Sequence, residues 1–260
     1  MLKRSYQAVS KCKKPFLFTL TLLPFALIGA YFTNNLMIDT YDPAVLEQIV
    51  AQVGDIRMLA VITIAQTLLY TVICGFVGYL IANKVGLYKP FTFQKTSLVR
   101  SLVLGGVVGL LLGIDHFISG PLYPQIREAN ISSFTVSGVL AAIFYGGSVE
   151  EVMMRLFFMS AVVLVIWKVF FRKYTAETMP QKVYIIANIA AALAFAAGHL
   201  PATAVSFGPL TVYIVARCFL LNGVAGILFG DLFVKDGIGY SMIAHAFAHI
   251  VKFLIFALFF

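Results

Sequence analysis

The sequence predicts an all-α, polytopic membrane protein: a bundle of about seven or eight transmembrane helices with its active site inside the bundle. Hydrophobic residues make up 61% of the 260 residues and charged residues 12%, and the mean hydropathy is +0.94. A chain of this composition cannot cover a soluble domain with a polar surface. No polar stretch is long enough to fold alone, so we expect residues 1–260 to form one integral domain within the lipid bilayer.

The apolar segments approach or exceed the length of about 20 residues that a helix needs to cross a bilayer. The fourth is too long for a single crossing, and Gly146-Gly147 is expected to interrupt it. The fifth ends near His199, with Pro201 two residues later. The segments cover about residues 15–34, 58–83, 101–119, 134–171, 183–199, 210–233 and 238–260.

Charge placement indicates which ends of these segments face the cytoplasm. Residues 1–14 form a basic tail with no acidic residue, as the positive-inside rule expects of a cytoplasmic segment. The stretch after the first segment is mainly acidic, which suits the outer face. We therefore expect a cytoplasmic N-terminus, and since topology explains the net charge of +8, no nucleic-acid partner is predicted. The tail carries Lys3, Arg4, Lys11, Lys13 and Lys14, and the acidic stretch carries Asp39, Asp42, Glu47 and Asp55.

Residues 148–155 place two adjacent carboxylates and an arginine inside an apolar segment. Ionisable groups at membrane depth are costly unless they are paired, so this cluster is a candidate functional site. Glu151 and Arg155 are four residues apart on one helix face, whereas Glu150 points about 100° away. We expect Glu151 and Arg155 to form a structural ion pair and Glu150 to face a polar cavity as a base or ligand. In the alternative, all three form one structural network.

Three of the four histidines lie in two later apolar segments of the sequence. His199 ends one of them, and His245 and His249 share a face of the last one. Imidazoles beside a buried carboxylate supply a proton acceptor, a set of metal ligands, or both. The fourth histidine, His116, follows Asp115 near a helix end and is expected to have a structural role.

Three motifs occur along the chain: first Glu150-Glu151-x-x-x-Arg155, then Phe195-x-x-x-His199, and last His245-x-x-x-His249. In this order they resemble the motifs of the CAAX-protease and bacteriocin-processing (CPBP, or Abi) family of intramembrane proteases. The resemblance covers about residues 138–252. Each motif fixes only two or three residues, but all three in order within a multi-span chain are specific. The resemblance implies a packing role for Phe195 in the second motif.

The resemblance implies a division of roles within the site. Glu150 and His199 would activate a water that attacks the scissile carbonyl, and His245 with residue 249 would stabilise the oxyanion. The family's third motif usually ends in Asn or Asp, whereas this chain has His249, which can still donate a hydrogen bond. This chemistry requires no metal. However, Glu150, His199, His245 and His249 would also make a zinc site with a position open to water, although the HExxH pattern is absent.

The expected function is hydrolysis of a peptide bond in a membrane-associated peptide or protein, presented at or within the cytoplasmic half of the membrane. One alternative is a non-proteolytic module of the same family, such as a bacteriocin-immunity or scaffold protein. Another is a proton-coupled carrier, although the chain has no internal repeat. The resemblance and the size of the chain favour the bacterial inner membrane as its location.

One expectation conflicts with this assignment. Counting about 1.5 Å per residue from the predicted span boundaries puts Glu150 toward the cytoplasmic side and His199 toward the outer side. The protease interpretation requires the two side chains to lie at the same depth.

Overall fold

The computed structural model describes the backbone of residues 2–259 and the side chains of residues 12–259. This part of the chain is helical throughout, apart from its connecting loops, and contains no strand. Seven segments are long and apolar enough to cross a membrane, which confirms the predicted all-α, polytopic class. Most of the predicted basic tail, including Lys3, Arg4 and Lys11, lies outside the described side chains.

Each of the seven predicted segments corresponds to one span, although the first and fifth spans extend beyond their predicted bounds, to Thr40 and Phe207. The fourth span is continuous from Val136 to Phe170 and contains two π-helical stretches, called π1 and π2 here. The fifth span combines α8 and α9, and the short helices α2 and α5 follow the first and third spans. The elements are α1 (Leu2–Thr40), α2 (Pro43–Val53), α3 (Ile56–Lys84), α4 (Lys95–Ser119), α5 (Pro124–Ser132), α6 (Val136–Ala141), π1 (Ala142–Glu150), π2 (Val152–Met159), α7 (Ser160–Phe170), α8 (Gln181–Gly198), α9 (Leu200–Phe207), α10 (Val212–Asp236) and α11 (Ile238–Phe259).

Successive spans run in opposite directions, so the two ends of the bundle differ in charge. We call one the basic end. There, Lys89 donates hydrogen bonds from Nζ to the carbonyl oxygens of Val234 (2.9 Å) and Lys235 (2.7 Å), and Arg100 forms an ion pair with Asp236. The opposite end, called the acidic end, contains α2, α5 and α9. The basic end carries Lys84, Lys89, Lys95, Arg100, Lys168, Arg172, Lys173, Lys182 and Lys235, and the acidic end carries Asp39, Asp42, Glu47, Asp55 and Glu128.

A row of glycines on α4 brings α11 close to it. A Cβ atom at Gly105 would overlap the carbonyl group of Ala244, and one at Gly109 would overlap that of Ala248. Such small residues allow two helix backbones to approach closely, which is a common way of packing helices within a membrane. This contact fixes the position of α11, which carries His245.

The predicted interruption at Gly146-Gly147 does not occur. The helix continues through both glycines as π1, with the wider i→i+5 hydrogen bonding that π-helices have. Both glycines are buried, and a Cβ atom at Gly147 would lie 2.9 Å from the Cβ of Ala246 on α11. The glycines therefore serve close packing against α11, which holds the helix in place where we predicted a break.

Candidate active site

Glu150 lies at the centre of the site, at the C-terminal end of π1. Its Oε1 atom is 4.0 Å from Nε2 of His199, and its Oε2 atom is 3.9 Å from Nε2 of His245. These distances are too long for direct hydrogen bonds but allow one water molecule to bridge each pair. The side chain of Glu150 is 23% exposed, and that of His199 is 32% exposed. Glu150 therefore faces both imidazoles from a position that water can reach.

The expected difference in depth between Glu150 and His199 is wrong. Two local features account for the error. The fifth span does not end at His199, because α9 extends it toward the acidic end as far as Phe207. In the fourth span, the wider winding of π1 gives a smaller rise per residue than the α-helical value used for the count.

The break between α8 and α9 orients the imidazole of His199. The backbone N–H of His199 donates to the carbonyl of Ala196, only three residues back, because α8 ends at Gly198. The carbonyl of Phe195 is then available to accept a hydrogen bond of 2.8 Å from Nδ1 of His199. With its proton on Nδ1, the neutral ring presents the lone pair of Nε2 to Glu150.

Glu151 contacts more groups than the ion pair predicted for it. Its carboxylate is fully buried and lies 3.5 Å from Nε of Arg155, as the i, i+4 spacing predicts. It also accepts a hydrogen bond of 2.9 Å from Nδ1 of His245 and a second from the hydroxyl of Ser241. Glu151 therefore also holds His245 in place, in addition to its ion pair with Arg155.

Ser241 is a site residue that the sequence reasoning missed. It is fully buried on α11, where its hydroxyl contacts Glu151 and also the carbonyl of Phe229. The available signal was its position four residues before His245, which puts both side chains on one face of the helix.

Phe195 packs against three residues of the site, His199, His245 and Arg155. Its ring centroid is 4.5 Å from that of His199 and 6.0 Å from that of His245. The guanidinium of Arg155 lies over the same ring at 5.2 Å, a distance at which a cation is attracted to an aromatic face. Phe195 thus contacts both histidines and the buried arginine, in keeping with the packing role implied for the second motif.

His245 and His249 stack on each other beside π1, with ring centroids 5.0 Å apart. A Cβ atom at Gly146 would lie 3.1 Å from Nε2 of His249 and 3.4 Å from Nε2 of His245. Both ring nitrogens therefore point at a position that only glycine leaves open. Within the described part of the chain, Nδ1 of His249 is buried without a hydrogen-bond partner.

A cavity of about 740 Å³ extends from this cluster through the bundle. Glu150, His199, His245 and His249 lie at its inner end, and Lys252 lines its wall. This volume is within the range of about 300 to 1,000 Å³ that is typical of ligand pockets.

The donor set has features that metal ligands share. Metal-bound histidines usually donate their other ring N–H to a carbonyl or carboxylate. His199 does so to Phe195 and His245 does so to Glu151. In the described residues, however, no three His, Cys, Asp or Glu side chains approach closely enough to form a ready cage.

Other polar residues within the spans lie outside the cluster. Arg217 pairs with Asp115 through Nε, 2.8 Å from Oδ2, and joins α10 to α4. His116 is buried and packs against the aromatic rings of Phe117 and Phe256. These residues therefore have structural contacts near the acidic end.

Fold and site together define a helical membrane protein with a water-accessible glutamate and histidine cluster inside its bundle. Residues 132–251 match the family model described as type II CAAX prenyl endopeptidase Rce1-like. For this segment, the match confirms the resemblance to the CAAX-protease family that the three motifs carry. No match was found among curated proteins or among solved structures.

Proposed function

We propose that the protein is an intramembrane endopeptidase that hydrolyses a peptide bond of a membrane-associated peptide or protein. The observation that carries the proposal is the position of Glu150, 4.0 Å and 3.9 Å from the Nε2 atoms of His199 and His245 in a cavity-lining cluster. The match of the surrounding segment to a protease family supports the same conclusion.

Glu150 and His199 act on the attacking water. A water molecule between them donates one hydrogen bond to the carboxylate and one to Nε2 of the imidazole. As its oxygen attacks the carbonyl carbon, its proton passes to Glu150. The same proton then goes to the leaving amine as the carbon–nitrogen bond breaks, so Glu150 acts first as a general base and then as a general acid.

His245 stabilises the oxygen of the tetrahedral intermediate. Its Nδ1–H group is held by Glu151, and in the proposed reaction the ring carries a proton on each nitrogen, with the negative charge of Glu151 beside it. Nε2–H then points into the cavity as a donor to the oxyanion. A fixed donor in a buried site is worth more than the same donor in water. His249, stacked on His245, provides a second ring at the same position.

A zinc-dependent form of this reaction is the second candidate, favoured by the hydrogen bonds on Nδ1 of both histidines. Glu150, His199 and His245 would hold the ion, with His249 next to them, and the ion would lower the pKa of a bound water. Elemental analysis of the purified protein, together with activity after chelation, separates the two forms. Zinc-free protein that remains active excludes the zinc-dependent form.

The test of the proposal compares membrane peptides from cells with the wild-type protein and with Glu150→Gln. Cleavage is expected to fall by about 100-fold or more, because general acid–base groups contribute about 10² to 10⁴ in rate. Glu177→Gln, which changes an exposed carboxylate in the loop between α7 and α8, is the matched control. Unchanged cleavage by the Glu150→Gln protein would favour a non-proteolytic module, and transport by reconstituted protein would favour a carrier.

A further inference from the structure

The cavity extends from the catalytic cluster in one direction only. On α11, its lining residues begin at His245 and run toward the acidic end as far as Phe253. In the fourth span they run from Gly138 to Glu150, and none follows Glu150. Along α8 and α9 they continue past His199 to Ser206, again toward the acidic end.

Packed side chains close the cluster from the basic end. On the basic-end side of Glu150, the side chains of Glu151 and Arg155 are fully buried. Leu156 and Met159, which follow in π2, are also fully buried. Phe233 on α10 belongs to the same hydrophobic core. A substrate approaching from the basic end would have to separate this core.

The acidic end, in contrast, has a polar opening. One face of α5 lines it with residues at positions i, i+3, i+4 and i+7, namely Gln125, Glu128, Ala129 and Ser132. The end of α1 lines it from the other side, through Thr40, Tyr41 and Asp42. A short helix that turns its polar face toward a cavity is consistent with a water-filled mouth.

The charges of the two ends indicate their sides of the membrane. The basic end carries the nine Lys and Arg residues named above against Glu177, Asp231 and Asp236, whereas the acidic end carries the five carboxylates named above against Arg57 and Arg127. Cytoplasmic loops of membrane proteins have this basic excess. The mouth of the cavity is therefore on the outer side, away from the cytoplasm.

We infer that the substrate reaches Glu150 from the outer side of the membrane. Its class is an exported peptide, or the outer segment of a membrane protein, bound as an extended chain. The wall of α11 from His245 to Phe253 is about 12 Å long, enough for about four extended residues. This inference rests on the proposed proteolytic function, and it replaces the expected presentation in the cytoplasmic half of the membrane.

Labelling of single cysteines tests the sidedness without requiring activity. The parent protein carries Cys12→Ser because Cys12 is exposed. Labelling of this parent protein measures the background reaction of the two remaining cysteines, Cys74 and Cys218. A membrane-impermeant maleimide should label Ser132→Cys at the mouth in intact cells. Thr175→Cys, in the exposed loop at the basic end, should react only after permeabilisation. The reverse pattern would overturn the inference.

The peptides that accumulate with wild-type protein but not with Glu150→Gln test the substrate class. Their cleavage sites are expected in exported peptides or in outer segments of membrane proteins. Cleavage sites confined to cytoplasmic proteins would overturn the inference while leaving the proteolytic function intact. Identical peptides from the two strains would instead contradict the proteolytic function, whatever the labelling pattern.

Discussion

Substituting glutamine for each of the two adjacent glutamates should separate catalysis from stability. Glu151→Gln keeps the shape of the side chain but removes the charge beside His245 and beside Arg155, whose side chain is fully buried. Breaking a buried ion pair by removing one partner costs about 3 to 5 kcal/mol, because the other charge stays buried without compensation. Glu150→Gln removes a charge that is 23% exposed and lies 4.0 Å from His199 and 3.9 Å from His245, beyond direct hydrogen-bond distance. Its cost in stability should be small.

The expected outcomes differ for the two proteins. At about 2 to 4 °C per kcal/mol for chains of about this size, the Glu151→Gln protein should melt about 10 °C lower than wild type in the same detergent. Its processing rate should fall by about 100- to 1,000-fold, since His245 loses the carboxylate that holds it as a donor. The Glu150→Gln protein should melt close to wild type while losing processing.

The double variant Glu151→Gln/Arg155→Met sharpens this test. Removing the arginine removes the uncompensated charge, so the melting temperature should recover much of the loss. Activity should not recover, because His245 still lacks its partner. A Glu151→Gln protein that melts like wild type would refute the reasoning, as would a double variant that regains activity together with stability.

Substitutions at Gly146 and His249 test the placement of the imidazoles. Gly146→Ala puts a methyl group 3.1 Å from His249 and 3.4 Å from His245, and it should lower processing by about 10-fold or more; Gly223→Ala, where no atom lies within 4 Å, is the control and should process normally. His249→Asn should retain processing because it keeps a donor, whereas His249→Ala should lose about 100-fold, as removal of an oxyanion donor does. Equal rates for the two His249 variants, measured with the same substrate, would contradict a donor role.

Much of this arrangement could be predicted from the sequence because it depends on local patterns. Apolar length alone locates the seven spans, and the three motifs identify Glu150, His199 and His245. The contact between Glu151 and His245 could not be predicted in this way. It depends on how α11 is rotated against the fourth span, which is set by packing at Gly105, Gly109 and Gly147 and not by hydropathy.

The error in depth has a similar origin. A proline after an apolar run predicts the end of a span, and Pro201 does end α8. The chain nevertheless resumes as α9 in the same direction, because proline is well tolerated in the first turn of a helix. The π1 winding leaves no signal in the apolar pattern either, since its glycines also suit a helix break.

The positions of the two glutamates explain how the proposed reaction proceeds in a buried site. His245 lies between them, with Nδ1 2.9 Å from Glu151 and Nε2 3.9 Å from Glu150. With His245 protonated, its charge and that of Arg155 balance the two carboxylates. When the water is deprotonated, Glu150 becomes neutral and a negative charge forms on the oxyanion, beside the same imidazolium. The net charge of the cluster and the bound substrate therefore stays at zero throughout the attack. This balance favours the reaction because an uncompensated charge is most costly in such a low-dielectric environment.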